Sequence, residues 1–135
     1  MAIFELFQGM MPKPENVAQV AAVPYDVVDT AEARALASGN PKSFLHVSRP
    51  EIDMPDGTDC SSPEAYAQAR KALDSLRSDG ALIQEAEQTF YAYRQIMNGR
   101  AQTGVVAVFD TEDYLAGILK QHEKTRQDKE DDRTN

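Results

Sequence analysis

One segment of this 135-residue chain gathers the residue types that phosphate chemistry uses. Between Lys120 and Arg133, five basic residues (Lys120, Lys124, Arg126, Lys129, Arg133) are interleaved with five acidic ones (Glu123, Asp128, Glu130, Asp131, Asp132) around His122, one of two histidines in the chain. On a helix, His122, Arg126, Lys129 and Arg133 follow at i, i+4, i+7 and i+11 and share one stripe, with Glu123, Gln127 and Glu130 on the next. Guanidinium groups grip phosphate oxygens bidentately, and a glutamate can take a proton from a hydroxyl. The stripe therefore suits an anionic ligand that must also lose a proton.

A plainer reading stands beside that one. Lys124–Asp128 and Arg126–Glu130 are opposite-charge i,i+4 pairs, each worth about 0.2–0.5 kcal/mol when exposed, but Lys129–Arg133 and Asp128–Asp132 are like-charge pairs of similar cost. The local sum is near zero, so helix stability alone does not explain the pattern. Mixed-charge helix ends are common, and pattern by itself favours a solvated terminus. The tract is not a zinc motif, because it lacks the second histidine of His-Glu-x-x-His.

Other chemistry-bearing residues are scattered. Tyr25-Asp26 follows Pro24 and could line a pocket, although an ordinary turn accounts for it equally well. His46 lies inside the apolar stretch Phe44-Leu-His-Val47, where a hydrogen-bonded core histidine is the commoner outcome. Arg49 heads Arg49-Pro-Glu51, a stretch with the composition of a loop. Cys60 is the single cysteine, which excludes an intrachain disulfide, and it sits in a polar segment with no basic neighbour to activate it. The chain contains no glycine-rich phosphate loop, no Gly-x-Ser-x-Gly and no Cys-x-x-Cys.

The elements that would position these residues are partly legible. Ile3–Phe7 alternates like a short strand. Glu15–Ala22 reads as a short helix ended by Pro24, and Tyr25–Val28 as an extended piece. Asp29 or Thr30 can cap a helix running to Ala37, with Gly39 as its stop. Ser43–Val47 is apolar and partly β-branched, which predicts a strand, and Arg49–Asp59 predicts a surface loop. Ser61 or Ser62, then Pro63, opens the strongest helix pattern, with Ala65, Tyr66, Ala69, Ala72, Leu73 and Leu76 on one face and Gly80 as the stop. Thr89–Met97 and Thr103–Phe109 flank Asn98-Gly99-Arg100, a strong hairpin signal whose register stays open. Asp110 or Thr111 can cap a last helix with Tyr114, Leu115, Ile118 and Leu119 on its buried side, free to run on into the charged tract. This pattern predicts an α+β fold: a mixed or antiparallel sheet with a C-terminal β-hairpin and flanking helices. It divides into a domain over 1–119 and a charged helical segment over 120–135.

Bulk properties narrow the function class. The length suits one modest core, and 41% apolar with 27% charged residues is a globular composition. A net charge of -8 counts against non-specific binding to nucleic acid. No apolar run approaches the ~20 residues of a membrane span, and the first residues lack a signal peptide's basic start. The single cysteine and these features predict a cytoplasmic protein with no membrane partner.

Three blocks carry a resemblance. Pro24-Tyr-Asp-Val-Val28, Asn40-Pro-Lys-Ser-Phe-Leu-His-Val-Ser-Arg-Pro-Glu51 and His122-Glu-Lys-Thr-Arg-Gln-Asp-Lys-Glu-Asp-Asp-Arg133 resemble, in order and rough spacing, landmarks of the bacterial and archaeal domain of unknown function 1015 family. Members are about three times this length, so the chain resembles an N-terminal third, whether its end at Asn135 is natural or a truncation. That family is in turn similar to ParB/sulfiredoxin-like enzymes, among them a free-serine kinase that uses ADP as phosphoryl donor. There a His-Glu pair and a Lys-Glu pair serve the reaction, and His122-Glu123 and Lys129-Glu130 look like them. The resemblance implies Glu123 as the base activating a hydroxyl, His122 beside it at the phosphate, and Arg126, Lys129 and Arg133 as phosphate or nucleotide ligands. Tyr25, Asp26, His46 and Arg49 would line a pocket. It implies ADP or ATP with magnesium as the phosphoryl source, and a small molecule, a nucleotide and the remaining C-terminal part of the protein as partners. The Asp-Gly-His-His-Arg phosphate segment of longer members has no counterpart here, which predicts a fragment inactive by itself. A non-enzymatic nucleotide-binding domain and a structural or interaction domain are the alternatives.

Overall fold

The computed structural model describes residues 3–120, and within them the fold is α+β. The His122–Arg133 tract, and with it the segment proposed over 120–135 beyond its first residue, lies outside the described residues. The chain divides into two compact units, one of residues 10–83 and one of residues 1–9 with 84–135.

Among the described residues, the buried apolar side chains of the core all lie in the 10–83 unit. Strands β2 (Met10–Pro12) and β3 (Leu82–Gln84) pair, and Lys13 N donates to Ala81 O just beyond them. A 3-10 turn at Pro14–Asn16 runs into α1 (Val17–Val20), which fits the short helix expected there. Helix α2 (Thr30–Ala37) begins in a full capping box: Asp29 Oδ1 accepts from Glu32 N, and Glu32 Oε2 accepts from Asp29 N. Helix α4 (Pro63–Ser78) is capped by Ser62, whose Oγ accepts from Ala65 N, and it stops where Gly80 takes φ +64°. Val20, Leu76, Ala81 and Leu82 form one apolar cluster, and Ala33, Ala37, Leu45 and Ile52 form a second.

Three expectations fail in this unit. Tyr25–Val28 is a turn, closed by Val27 N donating to Pro24 O, and not an extended piece. Ser43–Val47 is not a strand. Leu45–Ser48 is a helical turn, α3, built by Val47 N and Ser48 N donating to Phe44 O and Arg49 N to Leu45 O. Short apolar runs carry no period that separates strand from helix, and here the site of burial decided. Arg49–Asp59 is not all surface loop either. Pro50–Asp53 is a 3-10 turn with Pro50, Glu51 and Ile52 buried. Its carbonyls are gathered by one side chain: Arg34 Nε donates to Ile52 O at 2.9 Å, and Nη2 lies 3.4 Å from Glu51 O and 3.3 Å from Met54 O.

In the other unit, β1 (Phe4–Glu5) pairs antiparallel with β6 (Val108–Phe109), and the Phe4 and Phe109 rings meet edge-on at 5.1 Å. Strands β4 (Tyr91–Met97) and β5 (Arg100–Val106) form the hairpin, with Met97 opposite Arg100. The register left open by the sequence is set by the two-residue turn: Asn98 and Gly99 both take positive φ, +50° and +76°, as a type I′ turn requires. Helix α5 (Thr111–Leu115) starts at an Asp110 cap but buries nothing; Leu115 is 73% exposed. It ends there because Gly117 enters the left-handed region at φ +67° while Ile118 N donates to Asp113 O and Gly117 N to Tyr114 O, a Schellman stop. The expected run through Leu119 therefore does not form.

Tyr91 ties this unit together. Its hydroxyl accepts from Gly9 N at 2.5 Å, and its ring lies 4.9 Å from that of Phe7. A Cβ on Gly9 would lie 2.6 Å from both Cζ and Oη of Tyr91. Gly9→Ala is therefore expected to cost about 1–3 kcal/mol by overpacking. Urea unfolding followed at the amides of residues 7–9 and 89–91 measures it, and an unchanged midpoint would contradict this packing.

Candidate functional site

Two of the three sequence blocks converge in the 10–83 unit, and Arg49 is where they meet. From the Pro24–Val28 block comes the Tyr25 carbonyl, 3.3 Å from Arg49 Nη1, and from the start of α2, outside the blocks, the Thr30 hydroxyl accepts from Arg49 Nη2 at 3.1 Å. From the 40–51 block comes Glu51, with Oε1 2.8 Å from Arg49 Nε. Burial is deep for an ion pair: the Arg49 and Glu51 side chains are 19% and 7% exposed. The sharp backbone at Arg49 (φ -137°, ψ 61°), between α3 and the Pro50–Asp53 turn, allows the two side chains to face each other across one proline.

The pair is incompletely satisfied. Arg49 Nε makes the ionic contact without hydrogen-bond geometry, and Glu51 Oε2 is withdrawn from solvent with no donor. Thr30 Oγ1 reaches only Oε1, at 3.4 Å. A buried acceptor left unpaired costs about 1–3 kcal/mol, and more when charged. Desolvating both ions costs several kcal/mol per ion, so a buried pair is weak evidence for stability. Incomplete satisfaction in a buried polar cluster is a recognised mark of functional sites.

Glu51 also lines a hollow of about 360 Å³, walled by Thr30, Ala31 and Arg34 on one side and by residues 55–58 on the other. Arg34 clasps that outer wall through Asp56, Nη1 to Oδ1 at 2.8 Å. A larger hollow of about 820 Å³ lies along the hairpin tip between Gln95 and Gln102, where Arg100 is the single charged residue. It is the space beside an exposed ribbon, and only the smaller hollow brings convergent polar groups together.

The other expected pocket residues sit as follows. His46 bridges Asp53 Oδ2 (Nδ1, 2.7 Å) and the Asn40 carbonyl (Nε2, 3.1 Å), so it ties the block together and matches the hydrogen-bonded histidine expected of an apolar stretch. Tyr25 meets Arg49 through its main chain, and Asp26 is exposed on the turn beside it. His122, Glu123, Arg126, Lys129 and Arg133 lie outside the described residues. Sequence reasoning passed over Thr30, Arg34 and Glu51. The available signal was Arg-Pro-Glu itself: opposite charges flanking a proline, adjoining an apolar helix-sized run.

The residues present offer little to a polyphosphate or a divalent cation. Of the two guanidinium groups, Arg34 is held by Asp56 and main-chain carbonyls, and Arg49 by Glu51, Thr30 and Tyr25. The described residues hold no cluster of three or more His, Cys, Asp or Glu disposed around a metal position. No helix among them is long and apolar enough to cross a membrane. The family model described as "Protein of unknown function (DUF1015)" matches residues 5–135. Comparison with curated proteins and with solved structures gives no match.

Proposed function

The chain belongs to the DUF1015 family, whose function is unknown, and from that footing we propose that it is part of a nucleotide-dependent phosphotransferase acting on a small hydroxyl compound such as free serine. One observation carries the reading: the Arg49–Glu51 pair, whose arginine also reaches the Tyr25 carbonyl of a second sequence block, keeps a buried carboxylate oxygen unsatisfied beside a hollow of small-molecule size. Phosphoryl transfer depends mainly on positioning and charge stabilisation. In this reading Arg126, Lys129 and Arg133 hold the phosphates of ADP or ATP, and Glu123, next to His122, takes the proton of the hydroxyl. No step is assigned to magnesium. In this reading the 135-residue chain by itself binds without turnover.

The test is to supply full-length protein with ADP or ATP and L-serine and look for O-phosphoserine, with calorimetry of nucleotide binding alongside. Absence of both O-phosphoserine and nucleotide binding refutes the proposal. The second reading is a non-enzymatic nucleotide-binding or interaction domain. It is favoured by the hairpin, where Ile96 and Met97, on opposite faces of β4, are 70% and 76% exposed. Glu123→Gln separates the two. It abolishes turnover in an enzyme and leaves nucleotide affinity within about twofold in a binder, since a neutral isostere removes a base while keeping its shape.

A further inference from the structure

The β4–β5 hairpin is a two-stranded sheet, and among the described residues neither of its outer edges has a strand partner. Two strands by themselves are marginally stable in water, and an open edge displays unpaired N–H and C=O groups. The two edges are built differently. Across a two-residue type I′ turn the flanking pair, Met97 with Arg100, exchanges main-chain hydrogen bonds, and bonded and non-bonded pairs alternate from there. The main-chain groups of Ala92, Arg94 and Ile96 therefore point outward from β4, and those of Ala101, Thr103 and Val105 outward from β5. The hydrogen bond from Arg94 Nε to Thr103 Oγ1, 3.2 Å, fits the closer side chains of a non-bonded pair. Arg94 puts a charge at the middle of the β4 edge, a common way of blocking edge-to-edge pairing. Beyond Arg100, β5 has no charge and no proline, its residues are exposed, and Val105 is 71% exposed.

We propose that the outer edge of β5 pairs antiparallel with the same edge of a second copy of this chain, joining the two hairpins into one continuous sheet about a twofold axis at Thr103. In this register Thr103 lies opposite its own counterpart and Ala101 opposite Val105, so the outward N–H and C=O groups of these residues are satisfied. Charge selects both the edge and the partner. Arg100 falls opposite Val106, and the two copies' Arg100 side chains lie at opposite ends of the seam, whereas the same pairing through β4 sets Arg94 against Arg94. Threonine opposite threonine is itself a favourable cross-strand pair. On the Thr103 face, Ile96 and Ala101 of one copy line up with Val105 and Ala92 of the other, which covers part of the exposed Val105 side chain. Residues 121–135 contain no apolar side chain and offer that row no matching surface. The inference goes beyond both functional readings and rests on neither, since a dimer is compatible with each.

The test is sedimentation equilibrium of the whole 135-residue chain, with amide hydrogen exchange at matched concentrations. One strand pair is a small surface, so the expected result is a reversible monomer–dimer equilibrium with a Kd on the order of 10–100 μM. Exchange at the amides of Ala101, Thr103 and Val105 slows as concentration rises, while that of Gln102 and Gly104, whose N–H groups already face β4, does not change. Thr103→Pro removes the outward N–H from both copies without touching the β4 ladder and weakens the dimer about tenfold. Thr103→Lys sets like charges across the axis and weakens it about fivefold. Ala92→Lys, on the outer edge of β4, leaves it within about twofold. Because a Thr103 variant could distort the hairpin, the concentration dependence of the unaltered chain decides independently. A chain that is monomeric throughout, a dimer indifferent to both Thr103 variants, or one broken by Ala92→Lys overturns the inference. Protection of the same amides at every concentration in a monomer also overturns it, and assigns the edge to another segment of this chain.

Discussion

Replacing Arg49 by methionine is expected to lower the unfolding free energy by about 3–5 kcal/mol, because it strands the Glu51 carboxylate in a buried position without its cation. The lost contacts are specific: the ionic contact to Glu51 Oε1 and the hydrogen bonds to Tyr25 O and Thr30 Oγ1. Glu51→Leu leaves the guanidinium alone and has a cost of the same order. The double variant Arg49→Met/Glu51→Leu recovers most of the loss, since a well-packed apolar pair of similar volume is often as stable as a buried ion pair. Urea unfolding of the two single variants and the double one gives the coupling directly. Simple additivity of the two losses would contradict the pairing.

The second large effect is in the apolar cluster beneath that pair. Leu45 is 2% exposed, the largest fully buried side chain among the described residues, and is packed with Ala33, Ala37 and Ile52. Leu45→Ala is expected to cost about 2–5 kcal/mol through lost burial and the cavity left behind. The neighbours are mostly alanines, too small to collapse into the space, which places the cost toward the upper end of that range. Ile52 belongs to the turn that presents Glu51, so the same variant loosens residues 50–53. Faster hydrogen exchange at those amides, together with the lowered unfolding midpoint, checks this, and protection unchanged there would sever the proposed link between cluster and turn. The same packing also ties α2, through Ala33 and Ala37, to the wall that Arg34 holds.

How far the sequence carried this protein can be stated residue by residue. Local chemistry was legible wherever one short stretch contained the whole cause. Asp29 with Glu32 made a capping box, Ser62-Pro63 opened α4, and Asn98-Gly99 demanded positive φ and so a hairpin. Each of these interactions closes within four residues, and no distant partner can overrule it cheaply. Gly117 was the same kind of signal, a left-handed stop for α5, and its meaning became plain only with the bonds to Asp113 and Tyr114 in place.

The rest depended on partners far along the chain. Leu45 became helical because its burial lies against Ala33, Ala37 and Ile52, which no period over five residues can express. Pro50–Asp53 became a buried turn because Arg34, at least sixteen positions earlier, supplies the donors its carbonyls need; without that guanidinium the stretch would have to stay in water, as its composition suggests. The α+β class, the capped helices and the hairpin were thus determined by sequence alone, together with the family blocks. Tertiary structure alone decided that two of those blocks meet where Arg49 reaches the Tyr25 carbonyl, and that Arg49 and Glu51 are buried as a pair, because shielding such charges requires a folded chain to exclude the water around them.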